Sequence, residues 1–294
     1  MRTRFPALLT ILLGTTLLSA QEKHTLRFQF VQGTTTWMLL NQDMQMNMSM
    51  SGQDINTTMN MQMWSEMKVL EVKDGVGTVE TTFRRVKVVS ENPSMQVDYD
   101  SDVKDSDPGQ FESLSEMVGK GSKLKVDASG KVIDMAMDEG LAEDMKAAGM
   151  DMKQLFQQGL TVLPTDPIAI GDSWTSEMEM PMGQMGKMKA VTTNKLKAVA
   201  GSTITLEQDI KMDTASVKLP GGMKMDVTKS KGSNTIDLKT GSPVEMTMEM
   251  EMDMTMGEQM TSKMVIKMSM KQVPPPAPKE AAEPAKTEPA KTGK

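Results

Sequence analysis

Cysteine is absent from the 294-residue chain, histidine occurs once, and phenylalanine, tryptophan and tyrosine together make up 3% of it. The first absence excludes a disulfide framework, a thiolate metal site and a cysteine nucleophile, and the second excludes a histidine-built zinc cluster. So few aromatic rings also argue against a sugar-binding cleft. After the first twenty residues no apolar run approaches the length of a membrane-crossing helix. A basic excess is missing as well: 33 Lys+Arg stand against 39 Asp+Glu. That balance has no electrostatic footprint for nucleic acid, so no nucleic-acid partner is expected. What the chain has in excess is methionine, 35 residues.

The two ends differ from the middle. Arg2 and Arg4 precede the apolar run Ala7 to Leu18, followed by Ser19-Ala20 and the polar Gln21-Glu22-Lys23. This is the pattern of a secretory signal peptide, residues 1–20, cleaved within a few positions of Ala20 because Leu18 is larger than the usual small residue at that place. No cysteine stands at the cut, so a lipid-anchored lipoprotein is not expected. Removal of residues 1–20 leaves 31 basic against 39 acidic residues and a formal charge of −8. At the other end, residues 273–294 hold six of the fourteen prolines and repeat Glu283-Pro-Ala-Lys-Thr287 as Glu288-Pro-Ala-Lys-Thr292. Such a Pro/Ala/Lys/Glu tail has too little apolar surface to offset its ordering entropy, and is expected to be a disordered spacer.

Between the ends the strongest signal has period two. Val244, Met246, Met248, Met250, Met252, Met254 and Met256 alternate with Glu245, Thr247, Glu249, Glu251, Asp253 and Thr255. Strict alternation places the methionines on one face of a strand, whereas a helix would scatter them. A hairpin looping at Gly257-Glu258-Gln259 pairs Met256 with Met260, Met252 with Met264 and Met248 with Met268. The same register opposes Asp253 to Lys263, Glu249 to Lys267 and Glu245 to Lys271. An earlier hairpin is expected around a four-residue loop, Ser51-Gly52-Gln53-Asp54, setting Met46 against Met59, Met44 against Met61 and Met38 against Met67. Its other face is polar but mostly uncharged, with Trp37 and Trp64 among asparagine, glutamine, serine and threonine.

Further hairpin marks are Asp74-Gly75, Asp127 to Gly130 and Asp237 to Gly241. Phe111, Leu114, Met117 and Val118 fit a short amphipathic helix, and Leu141, Met145, Ala148, Met152, Leu155 and Phe156 fit a second, broken pair. Leu163-Pro164 through Pro167 to Gly171-Asp172-Ser173-Trp174 reads as a connector. The expected fold is mainly β: long antiparallel hairpins forming a curled sheet or half-barrel, with two or three short helices inserted mid-chain. Residues 21–160 would be an N-terminal β-rich half and 161–272 the C-terminal half of the same domain.

Chemistry-bearing patterns are few. Gly171-Asp172-Ser173 matches the opening of one esterase family, but the single histidine, His24, lies far upstream, so no base follows the serine and the stretch reads as a turn feeding a strand with Trp174 on the core. Asp98, Asp100 and Asp102 have the first spacings of a calcium loop, yet Val103 and Gly109 stand where that loop needs glycine and a bidentate glutamate. No residue is therefore assigned a catalytic, cofactor-binding or metal-ligating role, and no enzyme activity is expected. The methionines carry three readings: a methionine-built core; an apolar, lipid-like ligand held on a methionine-lined sheet face; and Cu(I) binding or buffering by thioether sulfur.

The order Leu26-Arg-Phe-Gln-Phe30, Asp74-Gly75, Val97-Asp-Tyr-Asp-Ser101, Asp127 to Val132, Leu163-Pro164 with Gly171-Asp-Ser-Trp174, and Asp237 to Gly241 resembles a family of uncharacterised secreted bacterial proteins, from planctomycetes especially. The likeness runs over about residues 24–271 and implies no activity, ligand or site residue. More distantly, the pattern of strands is similar to half-barrel lipoprotein carriers of bacterial envelopes, an analogy of fold. The expectation is an exported, periplasmic or extracellular, non-enzymatic protein that serves the envelope.

Overall fold

The computed structural model describes residues 22–50, 52–138, 140, 161–181, 186–215, 217, 219, 222–256 and 260–276. The chain order is β1 (Lys23–His24), β2 (Thr35–Met50), β3 (Gln53–Lys73), β4 (Val76–Asn92), β5 (Met95–Asp100), a 3-10 turn (Gly109–Phe111), α1 (Glu112–Ser115), β6 (Gly121–Val126), β7 (Val132–Met137), β8 (Ile168–Ala169), β9 (Ser173–Pro181), β10 (Lys187–Ala200), β11 (Thr203–Asp213), β12 (Lys224–Asp237), β13 (Pro243–Met256) and β14 (Met260–Val273). The period-two sequence has become extended backbone: β2 runs for 16 residues and β3 for 21. At the rise of a strand, β3 spans roughly 70 Å.

Twelve strands form one antiparallel sheet in the order β7-β6-β4-β3-β2-β14-β13-β12-β11-β10-β9, with β5 paired to β4. Its ends do not pair, so it is unclosed. The N-terminal and C-terminal sets of strands meet at the β2–β14 ladder, which runs from Met50↔Met260 to Trp37↔Val273. α1 is the one short α-helix among strands β2–β14 as described, where two or three were expected, and the second expected helical pair lies outside the described residues.

The β13–β14 register is the expected one throughout, with Met248↔Met268, Met252↔Met264, Asp253↔Lys263 and Glu249↔Lys267. The β2–β3 hairpin departs from expectation. Pairing continues to Met50↔Gln53, so the loop has two residues rather than four, and Met44 faces Met59, Met46 faces Thr57 and Met38 faces Ser65. Gly52 at φ 82° supplies the left-handed backbone that a tight hairpin needs. The error is a shift of two, which keeps every side chain on its expected face. At Asp74-Gly75 both residues have positive φ, as a two-residue turn between right-twisted strands demands.

Three clusters make the buried core, and all lie on the methionine-bearing face. Leu26, Phe28, Leu163, Leu196, Ile204, Leu206, Ile236 and Leu238 form one; Met63, Val86, Val88, Val97 and Tyr99 a second, covered by Phe111, Leu114, Met117 and Val118; Leu124, Val126 and Val132 a third. Phe30 borders the first and the third. This corrects the expectation of a methionine-built core. Of the described methionines only Met38 and Met63 are buried; the sealed interior is mainly leucine, isoleucine, valine and aromatic.

Candidate functional site

One end of the sheet is sealed by residues Leu26 to Phe30. Phe28 N–H donates to Ala128 O at 2.8 Å, Gln29 N–H to Leu238 O at 2.6 Å, and Leu163 N–H to Ser129 O at 2.8 Å. Arg27 donates to the carbonyls of Pro164 and Thr165, both at 2.6 Å, fastening the connector beside this segment. A Cβ added to Gly77, in β4, would meet Phe30 Cγ at 2.5 Å, and one added to Gly241, before β13, would meet Phe30 Cε1 at 2.5 Å. Along the sheet these two glycines are four strand steps apart, about 19 Å at ordinary spacing. Both touch one phenyl ring, so the sheet bends sharply here, toward the side on which Phe30 lies. The methionine face is therefore the inner one.

Following the ladders across the sheet gives rungs of that inner face. One reads Asn194, Gln208, Gly232, Met248, Met268, Gln42, Met61, Val88 and Tyr99. Alternation puts every charged residue of β2–β4 and β9–β14 on the opposite face or at a bulge, where Arg84 and Lys197 pair with Glu66 and Glu207. Among the described residues of these strands, the inner face carries no charge. Away from the sealed end its methionines are half-buried, touching neighbours within the sheet, and Met50 at the β2 tip is 45% exposed. Among the described residues no second layer of strands packs on this part of the face.

The outer face is charged and paired. Lys229 reaches Glu249 at 2.5 Å and Glu251 at 3.5 Å, and Lys263 reaches Glu251 at 3.4 Å, diagonal to the Asp253 directly across. The hydrogen bond between Lys229 and Glu249 holds the ammonium above its ordinary range and the carboxyl below its own. Arg85 lies 4.6 Å over the Trp64 ring and grips Asp100 in a two-pronged bond of 2.9 and 2.5 Å. That bond lowers the Asp100 pKa against the opposing effect of burial.

The remaining sequence patterns resolve as structure. Asp100, the centre of the calcium-like spacing, is occupied by Arg85, and no group of three or more His, Asp or Glu among the described residues is arranged to hold a metal ion. At Gly171-Asp172-Ser173 the chain turns: Asp172 Oδ2 accepts from Ala169 N–H at 2.8 Å, Gly171 takes φ 99°, and Trp174 Nε1 donates to Val162 O at 2.8 Å within the first cluster. Among the described residues no hydrogen bond joins Ser173 to His24, which sits in β1 opposite Ile168. Among the described residues the methionines run in rows along strands β2, β3, β13 and β14, nothing singles out a copper site, and that alternative is set aside. Sequence reading missed the polar interruption of the inner face: Ser230, Gly232 and Asn234 on β12, beside Gln208 and Asn194. The sequence carried no local signal of it, because the bulge after Val227 shifts the parity of the strand.

Residues 136–272, just under half of the chain, match the model of DUF6263, a family of unknown function. No curated protein matches the sequence. Among solved structures, lipovitellin, determined for its lipid–protein interactions, aligns at 10% identity with TM-score 0.48 over 86% of this chain. The chain spans only 27% of lipovitellin. The β domain of the Bordetella autotransporter BrkA aligns at 8% identity and TM-score 0.31, covering 81% of this chain and 100% of that domain. An outer membrane channel from Pseudomonas putida F1 aligns at 6% identity and TM-score 0.23, covering 84% and 97%.

Proposed function

We propose that this is an exported, non-enzymatic protein of the bacterial envelope that holds an apolar, lipid-like molecule on the inner face of its sheet. The observation that carries this reading is a charge-free, methionine-lined face, curved around one side and sealed at one end by Leu26 to Phe30. Exposed apolar surface of this extent costs free energy in water unless something covers it. Thioether side chains are flexible and polarizable, so they mould to chains of varied shape. The polarity also runs opposite to that of a membrane barrel, whose outer band is apolar; here the outer face carries the ion pairs.

The test is native mass spectrometry with solvent extraction, on protein purified from its host. A bound mass of lipid size, lost on extraction, is the expected result. A chain that carries no such mass and takes up no fluorescent fatty probe would overturn the proposal.

A further inference from the structure

With no cysteine in the chain, the thioether sulfurs are its side-chain groups most readily oxidised by peroxide. They are spread unevenly over the fold. The first core cluster and the hydrophobic side chains packed against it contain no methionine. Among the described residues the buried methionines are Met38 and Met63, at 4% and 9% exposure. On the inner face away from the seal, two rungs consist of methionine on three successive strands: Met252, Met264 and Met46 make one, and Met256, Met260 and Met50 the other. Successive members are one strand spacing apart, about 5 Å, and the rungs lie four residues apart along each strand, about 14 Å. Met50 is exposed and the other five are half-buried. Among the described residues no second layer of strands covers them. The β13–β14 and β14–β2 ladders beneath them run without a bulge from the tips to Glu245↔Lys271 and Trp37↔Val273. Those bonds join backbone groups, and the ion pairs lie on the opposite face, so neither depends on sulfur.

From this we infer that the two methionine rungs are a site of reversible sulfoxidation, by which hydrogen peroxide turns the inner face from apolar to polar while the sheet stays folded. A sulfur lone pair attacks one peroxide oxygen, the O–O bond breaks and the S–O bond of a sulfoxide forms. The sulfur loses two electrons, and the proton of the transferred oxygen passes to the departing hydroxide, which leaves as water. Reversal takes two thiol equivalents, supplied by a dithiol through a methionine sulfoxide reductase, and releases the oxygen as water. Each sulfoxide puts an uncharged acceptor where hydrocarbon would otherwise lie, and covering it without a donor costs free energy. Leucine in these rungs would be equally apolar but inert to peroxide; methionine makes the polarity of the surface adjustable. The site rests on the geometry of the face, and its effect on binding rests on the proposed lipid-binding role.

The experiment treats the delipidated full chain with limiting hydrogen peroxide. It follows each methionine by peptide mass mapping, the strands by circular dichroism, and the face by binding of a fluorescent fatty probe. Met46, Met50, Met252, Met256, Met260 and Met264 should each gain one oxygen while Met38 and Met63 remain thioethers. The strand signal should persist, and the probe should bind about tenfold more weakly. Methionine sulfoxide reductase with dithiothreitol should restore binding. A variant carrying Met46→Leu and the same change at the other five positions, a swap that keeps volume and polarity, should bind the probe like the parent and keep it after peroxide. The assignment fails, and lipid binding stands, if Met38 and Met63 are oxidised as fast as the six, if the strands are lost with the first oxygens, or if the leucine variant loses the probe as the parent does. If the probe does not bind before oxidation, the lipid-binding role fails; the sulfoxidation site then stands if the six still oxidise first in a folded sheet, and falls if they do not.

Discussion

At the sealed end the inner face is built of branched and aromatic side chains, and Leu196, Ile204 and Leu206 are at 0% exposure. On β2, β13 and β14 of the same sheet methionine takes over, and Met44, Met46, Met248, Met250 and Met264 are each only half-buried. One sheet thus uses two kinds of apolar residue for two purposes. Leucine, isoleucine and valine have few rotamers and specify a fixed packing; methionine has three rotatable bonds and suits a surface whose neighbour is not a fixed part of the fold. The division falls where the covering segments, Leu26 to Phe30 and Phe111 to Val118, stop.

Four substitutions break or sharpen that contrast. The largest effect is expected from Leu206→Ala, which opens a cavity in the sealed cluster and should cost about 3 kcal/mol in urea unfolding. A loss below about 1 kcal/mol would mean the end is not closed. Gly77→Ala comes next. Its methyl group must displace the Phe30 ring, which should cost about 2 kcal/mol and lower the unfolding midpoint.

Asp100→Asn tests the outer face, which is built on charge. Removing the carboxylate from the part-exposed Arg85 should cost about 1 kcal/mol at neutral pH. In the parent protein the Asp100 pKa lies below its unfolded value of 3.8. The stabilisation is therefore complete above that value and disappears as the pH falls through the lower folded one. Asp127 adds to the same acid limb: burial raises its pKa, but the bonds from the Ser129 hydroxyl and the N–H groups of Lys131 and Ser129 outweigh it and leave it lowered. A pH titration of stability should show this limb flattened in Asp100→Asn and unchanged in Leu206→Ala. The smallest effect is expected from Met264→Ala, below about 1 kcal/mol, because half-buried surface is lost without leaving a sealed void. If it cost as much as Leu206→Ala, the methionine field would be closed core and the contrast would vanish.

The two long hairpins explain how far the sequence could be read. For β13 and β14, methionine facing and Glu/Asp–Lys opposition are independent constraints, and together they specify one register, the observed one. For β2 and β3 the outward residues are mostly asparagine, glutamine, serine and threonine, which oppose one another equally well after a slip of two. Only the turn could decide, and the two-residue solution at Gly52 won. The face of each residue was legible in both hairpins because it depends on parity alone. The seal was not legible. Leu26, Phe28 and Phe30 alternate like any short strand, and nothing local shows that their backbone partners are Ala128 and Leu238. The inward polar stretch of β12 was hidden for a related reason: Ser230 and Asn234 read as exposed polar residues until the ladders place them inward.

The seal also sets an order of assembly. Leu26 to Phe30 are synthesised about two hundred residues before Leu238, whose carbonyl receives Gln29, and closing so long a loop is entropically costly. The nascent chain must hold this greasy segment in reserve until Leu238 has been synthesised, a high contact order that predicts a slow last step. A kinetic intermediate with strands formed and Phe30 still reachable by solvent follows from the topology, and a chaperone that grips the N-terminal stretch would delay closure rather than strand pairing.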